Sequence, residues 1–256
     1  MICTQRIKTI TQKPIKTDDF ETVNVMNWHN KWKELSPYYL RTDATECNLN
    51  EGGIIFENFW QGSKIFDIVY PIEVYASAYH KNNPKYLWWK YDTVSEYDIL
   101  YNKKTKVIDY ELYSKWRTSL WNCQNPIRYP NGINNRKRTQ FSVLFDFDNN
   151  ESRLGYIDAR KKLYVNEYMR LVRKTNTYKK LLALLNNDVN LIICEIDVPS
   201  HDKKSVYGQN CDDHGNYKIT NKRLDILIND PAEAFGHGLC LSKALLEDKK
   251  LINKIT

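Results

Sequence analysis

Nowhere in the chain do apolar residues run unbroken for anything near the roughly 20 that a membrane-spanning helix needs. The opening MICTQRIKTITQK also lacks an apolar stretch of the kind that forms a signal-peptide core. The expectation is a chain without a membrane partner, at work in the reducing cytoplasm. Six cysteines, Cys3, Cys47, Cys123, Cys194, Cys211 and Cys240, are scattered with no CxxC pair and no Cys/His spacing suited to zinc. That scatter predicts free thiols and no metal. Glycine and proline are scarce, at nine and eight residues, so where they cluster they mark turns. There are no internal repeats and no low-complexity segments, which excludes a solenoid or a tethering tail.

What is present reads as one folding unit. A length of 256 residues suffices for a hydrophobic core without staples, and 42% hydrophobic against 27% charged residues excludes wholesale disorder. The net charge of +7 leans modestly toward polyanionic partners, or else reflects a lysine-rich solvated surface.

Residues 1–27 lack sustained periodicity and read as an N-terminal arm or an early strand, with the packed domain, 28–256, opening at Trp28 and Trp32. Apolar residues at helical spacing from Phe56 to Tyr70 predict a helix with a polar stripe, and residues 71–150 read as mixed helices and loops. FSVLFDF predicts a short strand, 156–172 an amphipathic helix, 177–186 a second helix, and VNLIICEID a buried strand. Residues 199–217, rich in Gly, Asp, His and Asn, form a long surface loop, followed by helices near 221–229 and 238–249. The expected fold class is α+β and predominantly helical.

Chemistry concentrates in Glu57-Asn58-Phe59-Trp60-Gln61-Gly62-Ser63-Lys64, where helical spacing sets Glu57, Gln61 and Lys64 on one face. A carboxylate beside a lysine stays ionised, as a group must to stabilise a cationic transition state or activate water. A solvated helix face has the same spacing. Farther along, Phe235-Gly236-His237-Gly238 opens the last helix, and such a turn either holds phosphate on free amides or relieves crowding. A histidine between two glycines has little local cover, which points to a surface or pocket position. Glu195 and Asp197 leave a buried strand on the same side, as an acid/base or ribose-binding pair or as structural caps. Arg128, with Tyr129, Pro130 and the cluster Arg136-Lys137-Arg138, forms a basic proline-braced loop, suited to phosphate contact and base stacking or simply solvated.

The segment from Glu57 to Lys64 resembles the signature helix of the NADAR superfamily, in which Glu is followed by two aromatic positions, Gln, a small residue and Lys. Glu57, Phe59, Trp60, Gln61, Gly62 and Lys64 match in order, while Asn58 stands where many members have His. The downstream order is also similar: a basic amphipathic helix from Arg160 to Arg173, a leucine run from Leu181 to Leu185, a strand ending at Glu195 and a glycine turn into the last helix. The resemblance spans 32–70 and 152–248 and leaves an insertion at about 71–151. It departs from the family at the Asp and Trp-Gly pair that members carry before the glycine turn. No tryptophan follows Trp121, and the loop offers Asp202, Asp212 and Asp213 instead.

The resemblance implies a single NADAR-like domain that hydrolyses N-glycosidic bonds, acting on an ADP-ribose-like nucleotide, an ADP-ribosylated nucleic acid or a small ribosylated base. Glu57 is the expected anion opposite the sugar cation, with Lys64 and Asp197 as catalytic partners. Trp60 and Gln61 would meet the base, Glu195 the ribose, and Arg128, Arg160, Gly236, His237 and Gly238 the phosphates. No cofactor is implied. The rival expectation is a non-catalytic binder of ADP-ribose or nucleic acid on the same fold.

Overall fold

A computed structural model describes residues 1–8, 12–15, 18–26, 31–42, 53–69, 98–127, 139–145, 151–199 and 216–255. The chain divides into two compact units, 1–40 with 160–256, and 41–159. The expected layout was one domain, 28–256, with an insertion at about 71–151 and an N-terminal arm.

The first unit is built on a four-stranded sheet in the order Tyr217–Lys218, Ile2–Arg6, Asn190–Glu195, Phe20–Asn24. The run NLIICE is apolar on both faces, as a strand covered on both sides must be. Leu191, Ile192, Ile193 and Cys194 are all fully buried. Its neighbours Ile2–Arg6 and Phe20–Asn24 both run parallel to it, and the short strand Tyr217–Lys218 is antiparallel on the far edge.

Helices Asn166–Val172, Asn176–Asn186, Asn221–Asn229 and His237–Ile255 belong to this unit. Thr175 and Thr220 start two of them by accepting the first-turn amides of Tyr178 and Arg223 on their hydroxyls. The segment 156–172 is helical throughout, with a π-helical stretch at Arg160–Val165. Wider π spacing turns the Arg160 side chain inward, where the unit needs it (below).

The second unit opens with the helix Phe56–Gly62, followed by a three-stranded antiparallel sheet in the order Lys64–Phe66, Thr139–Phe145, Glu151–Leu154. Two small strand pairs follow, Ile68–Val69 with Asp98–Ile99 and Tyr101–Asn102 with Val107–Ile108. Helix Tyr110–Asn122 begins where the Asp109 carboxylate accepts the Leu112 amide at 2.9 Å. Ile65, Phe66, Val69, Leu100, Tyr113, Trp116 and Leu120 form its core.

The predominantly helical fold expected from the sequence is overturned: 44% of the structure is helical and 24% is strand, spread over several small sheets, giving a mixed α/β fold. Two readings failed for the same physical reason. Ile2–Arg6 and Phe20–Asn24 were read into an arm, and Lys64–Phe66 and Ile68–Val69 into a continuous helix. Each is a strand whose partner lies far along the chain, and such pairing leaves no local period. Among the described residues no helix is long and apolar enough to cross a membrane.

Candidate functional site

Two constellations carry chemistry, one in each unit. In the second unit the helix ends at Gly62, so Lys64 starts a strand and does not continue the helical stripe. The three expected side chains meet nonetheless. Gln61 Nε2 donates to Glu57 Oε1 at 2.7 Å, and Lys64 Nζ donates to Gln61 Oε1 at 2.8 Å. All three are buried, Glu57 at 5% exposure, which removes the solvated-face reading, since a buried carboxylate and ammonium persist only when bonded. Lys64 Nζ also stands 4.5 Å from the centroid of the half-buried Trp60 ring, in a cation–π contact.

Three neighbours that the sequence reading had not singled out hold this helix in place. Asn58 is fully buried. Its amide nitrogen donates to the carbonyls of Cys123 and Asn125 at 3.2 and 2.9 Å, and its oxygen accepts the Ile127 amide at 2.6 Å. The Tyr113 hydroxyl donates to the Gly62 carbonyl at 2.9 Å, and its burial pushes the phenol up to about 12. Arg117 lies over the rings of Tyr113 and Trp121, at 5.0 and 4.6 Å. A Cβ on Gly62 would come within 2.4 Å of the Trp121 indole nitrogen, so only glycine fits there. The signal for Asn58 was present: an amide amid apolar and aromatic positions on a packed helix needs backbone partners.

In the first unit Glu195 ends the buried strand at 1% exposure. Its Oε2 lies 2.9 Å from His237 Nδ1 and accepts the Gly238 amide at 2.9 Å, while its Oε1 accepts the amides of Ile196 and Asp197 at 2.8 and 3.2 Å. The other ring nitrogen of His237, Nε2, faces the Val25 carbonyl at 3.2 Å. A carbonyl and a carboxylate only accept, so the ring that satisfies both is the doubly protonated imidazolium. Burial alone would raise Glu195 and lower His237. Their mutual charge and hydrogen bond override it in both, and Glu195 titrates well below the carboxylate range while His237 titrates above its ordinary value. His237, expected at a surface or pocket, is buried at 7% exposure.

The glycine turn serves this pair. A Cβ on Gly236 would fall 2.8 Å from Asp197 Cβ and from the Glu195 carboxyl, and one on Gly238 would fall 3.0 Å from Glu195 Cβ. The Gly238 amide, expected to meet phosphate, is bonded to a carboxylate of the protein itself. Arg160, also expected on phosphate, is 2% exposed and donates to four carbonyls: those of Leu227, Ile228 and Asp230 at 3.1, 3.2 and 3.0 Å, and that of Glu233 at 2.7 Å. It closes the open C-terminal end of helix Asn221–Asn229. Asp197 is half-buried. Its amide bonds Glu195 and its carbonyl accepts the Gly236 amide at 3.0 Å.

Arg128, the cluster Arg136-Lys137-Arg138, and Asp202, Asp212 and Asp213 lie outside the described residues. Among the described residues no group of three or more His, Cys, Asp or Glu side chains is placed to hold a metal ion. Cys123, Cys194 and Cys240 are free thiols, whereas Cys3 is disulfide-bonded to a partner outside the described residues. The expectation of six free thiols therefore fails at Cys3, a position where sequence spacing gives no guide to which cysteines the fold brings together. No family model matches the chain, nor does any curated protein or solved structure, so the resemblance to the NADAR superfamily stands on its motif residues and the functional reading on geometry.

Proposed function

We propose that the chain is a hydrolase of N-glycosidic bonds in ADP-ribose-like nucleotides or in nucleic acid carrying ADP-ribose on a base, with Glu57 as the carboxylate opposite C1′. The observation that supports this reading is the buried relay from Lys64 through Gln61 to Glu57 beside the Trp60 ring. Cleavage builds positive charge on the sugar as the C1′–N electron pair leaves with the base. A carboxylate fixed near C1′ stabilises that charge and takes a proton from the attacking water, whose oxygen bonds to C1′. The proton ends on the base nitrogen, so the step needs no redox partner.

Each part of the relay has a share in this. Gln61, held by Lys64 through its oxygen, turns its amide nitrogen to Glu57 and fixes the carboxylate rotamer. Trp60, with an ammonium against its ring, offers an aromatic surface for a planar base. The test is incubation with an oligonucleotide bearing ADP-ribose on one base and, separately, with a ribosylated pyrimidine, followed by chromatography for free base. Release of base from either supports the reading. Tight binding with no release over many hours overturns it in favour of a non-catalytic binder.

A further inference from the structure

The first unit contains a second, separately built feature. Its three parallel strands, Ile2–Arg6, Asn190–Glu195 and Phe20–Asn24, end level with one another, since Arg6 pairs with Glu195 and Asn24 with Cys194. Each closes on a polar residue at the same edge. In open α/β sheets the carboxyl ends of parallel strands are where ligands bind, and an acidic residue just past a strand end is the group that takes ribose hydroxyls.

Just past the end of the middle strand, the backbone of Asp197 is pinned on both sides. Its amide donates to Glu195 Oε1 at 3.2 Å and its carbonyl accepts the Gly236 amide at 3.0 Å. Behind these bonds stands the Glu195–His237 ion pair, itself tied to Gly238 and Val25. Two glycines are required for the pieces to approach so closely. Burying an ion pair is costly, and nothing in the sheet or the last helix needs one in order to pack. The clamp does fix the position of one half-buried carboxylate at the ligand-binding edge of the sheet. Glu195, His237 and both glycines are consumed in building the clamp, and Asp197 is the acidic side chain it presents.

We infer that Asp197 is a ligand-contacting carboxylate of the first unit, accepting hydrogen bonds from the vicinal hydroxyls of a ribosyl group. An ionised carboxylate is acceptor-only, with two oxygens, which matches two neighbouring hydroxyl donors. The choice of a ribosyl ligand rests on the function proposed above. The placement of the carboxylate does not.

The test is calorimetric binding of free ADP-ribose and of analogues lacking the 2′ and 3′ hydroxyls of one or the other ribose, to the wild type and to Asp197→Asn and Asp197→Ala. The clamp uses only the backbone of Asp197, so both variants are expected to melt within a few degrees of the wild type. In the wild type, removing the diol from one ribose should weaken binding by roughly ten- to a hundredfold, the span expected for a hydrogen bond to a charged group. Both variants should bind ADP-ribose more weakly and be indifferent to removal of those hydroxyls. A wild type that does not bind ADP-ribose, or one indifferent to its hydroxyls, overturns the inference. So does a variant that melts normally and keeps the wild-type preference. Binding that follows Asp197 without any turnover would sink the hydrolase reading and leave this one standing. Turnover that ignores Asp197 would do the reverse.

Discussion

His237 Nδ1 lies 2.9 Å from Glu195 Oε2, and the pair is buried from both sides, the histidine by the last helix that it begins and the carboxylate by the strand that it ends. Removing one partner of a buried pair leaves the other uncompensated, so His237→Ala should destabilise the protein by about 3–5 kcal/mol. Urea unfolding measures this. A loss under about 1 kcal/mol would mean that the pair is not ionised as described.

The pH dependence has a definite sign. Glu195 is depressed by folding, so its contribution is present above its ordinary value of 4.5 and is lost as pH falls through the folded value. His237 is raised, so its contribution is complete below its ordinary value of 6.5 and is lost as pH rises through the folded value. The stability gap between wild type and His237→Gln should be widest between those two ordinary values and shrink on either side. A gap that widens steadily above neutral pH contradicts the assignment.

Substituting glycines one at a time should rank by the space each lacks. Gly236→Ala places a Cβ 2.8 Å from the Glu195 carboxyl and should cost about 1–3 kcal/mol, as overpacking does. Gly238→Ala, at 3.0 Å from the Glu195 Cβ, should cost less. Gly155→Ala meets nothing within 4 Å and should be neutral or slightly stabilising. Thermal melts of the three variants decide it, and equal losses would remove the clamp from the explanation.

Arg160→Met should destabilise strongly and leave ligand affinity unchanged once the fraction folded is accounted for. Its guanidinium satisfies four carbonyls around the end of helix Asn221–Asn229, and an ammonium cannot reproduce that fork, so Arg160→Lys should rescue little. A well-folded Arg160→Met protein with lost ligand affinity would return Arg160 to the phosphate role.

How much of this was legible in the sequence depended on how local its cause was. The strand Asn190–Glu195, the helices Asn176–Asn186 and Asn221–Asn229 and the strand Thr139–Phe145 each carry their own apolar pattern, and the sequence located them. Ile2–Arg6 has two polar residues in its middle, Thr4 and Gln5. Its burial comes from pairing with residues almost two hundred positions away, which no window contains. Lys64 fits a helical stripe by spacing, but Gly62 and Ser63 end the helix and a strand partner at Ser142 takes over. The relay survived because the turn keeps Lys64 within reach of Gln61. Glu195 and His237 were each singled out for separate roles, whereas their contact spans the whole segment from strand to turn. The usable clue was a charged residue at the end of a strand with no other charge, because such a group needs a buried partner.

The thiols give an independent check. Burial pushes Cys194 up to about 12 and Cys240 well above the usual thiol value, so both should resist alkylation in the folded protein. Cys3 should appear in a disulfide in non-reduced peptide maps. Protein alkylated at the moment of cell lysis would show whether that bond exists in the cell, where a reducing interior would favour the thiol. Rapid native labelling of Cys240 would contradict the packing of the last helix.

The most direct test of the central claim is turnover by Glu57→Gln. Glutamine keeps the shape of the side chain and an oxygen to accept from Gln61, so the melting temperature should stay within a few degrees of the wild type. Release of free base from an ADP-ribosylated oligonucleotide or ribosylated pyrimidine should fall by at least roughly a hundredfold, as expected when a charged acid/base group is neutralised. A folded Glu57→Gln protein that cleaves the wild-type substrate at near the wild-type rate would contradict the assignment of Glu57 and the hydrolase reading built on it.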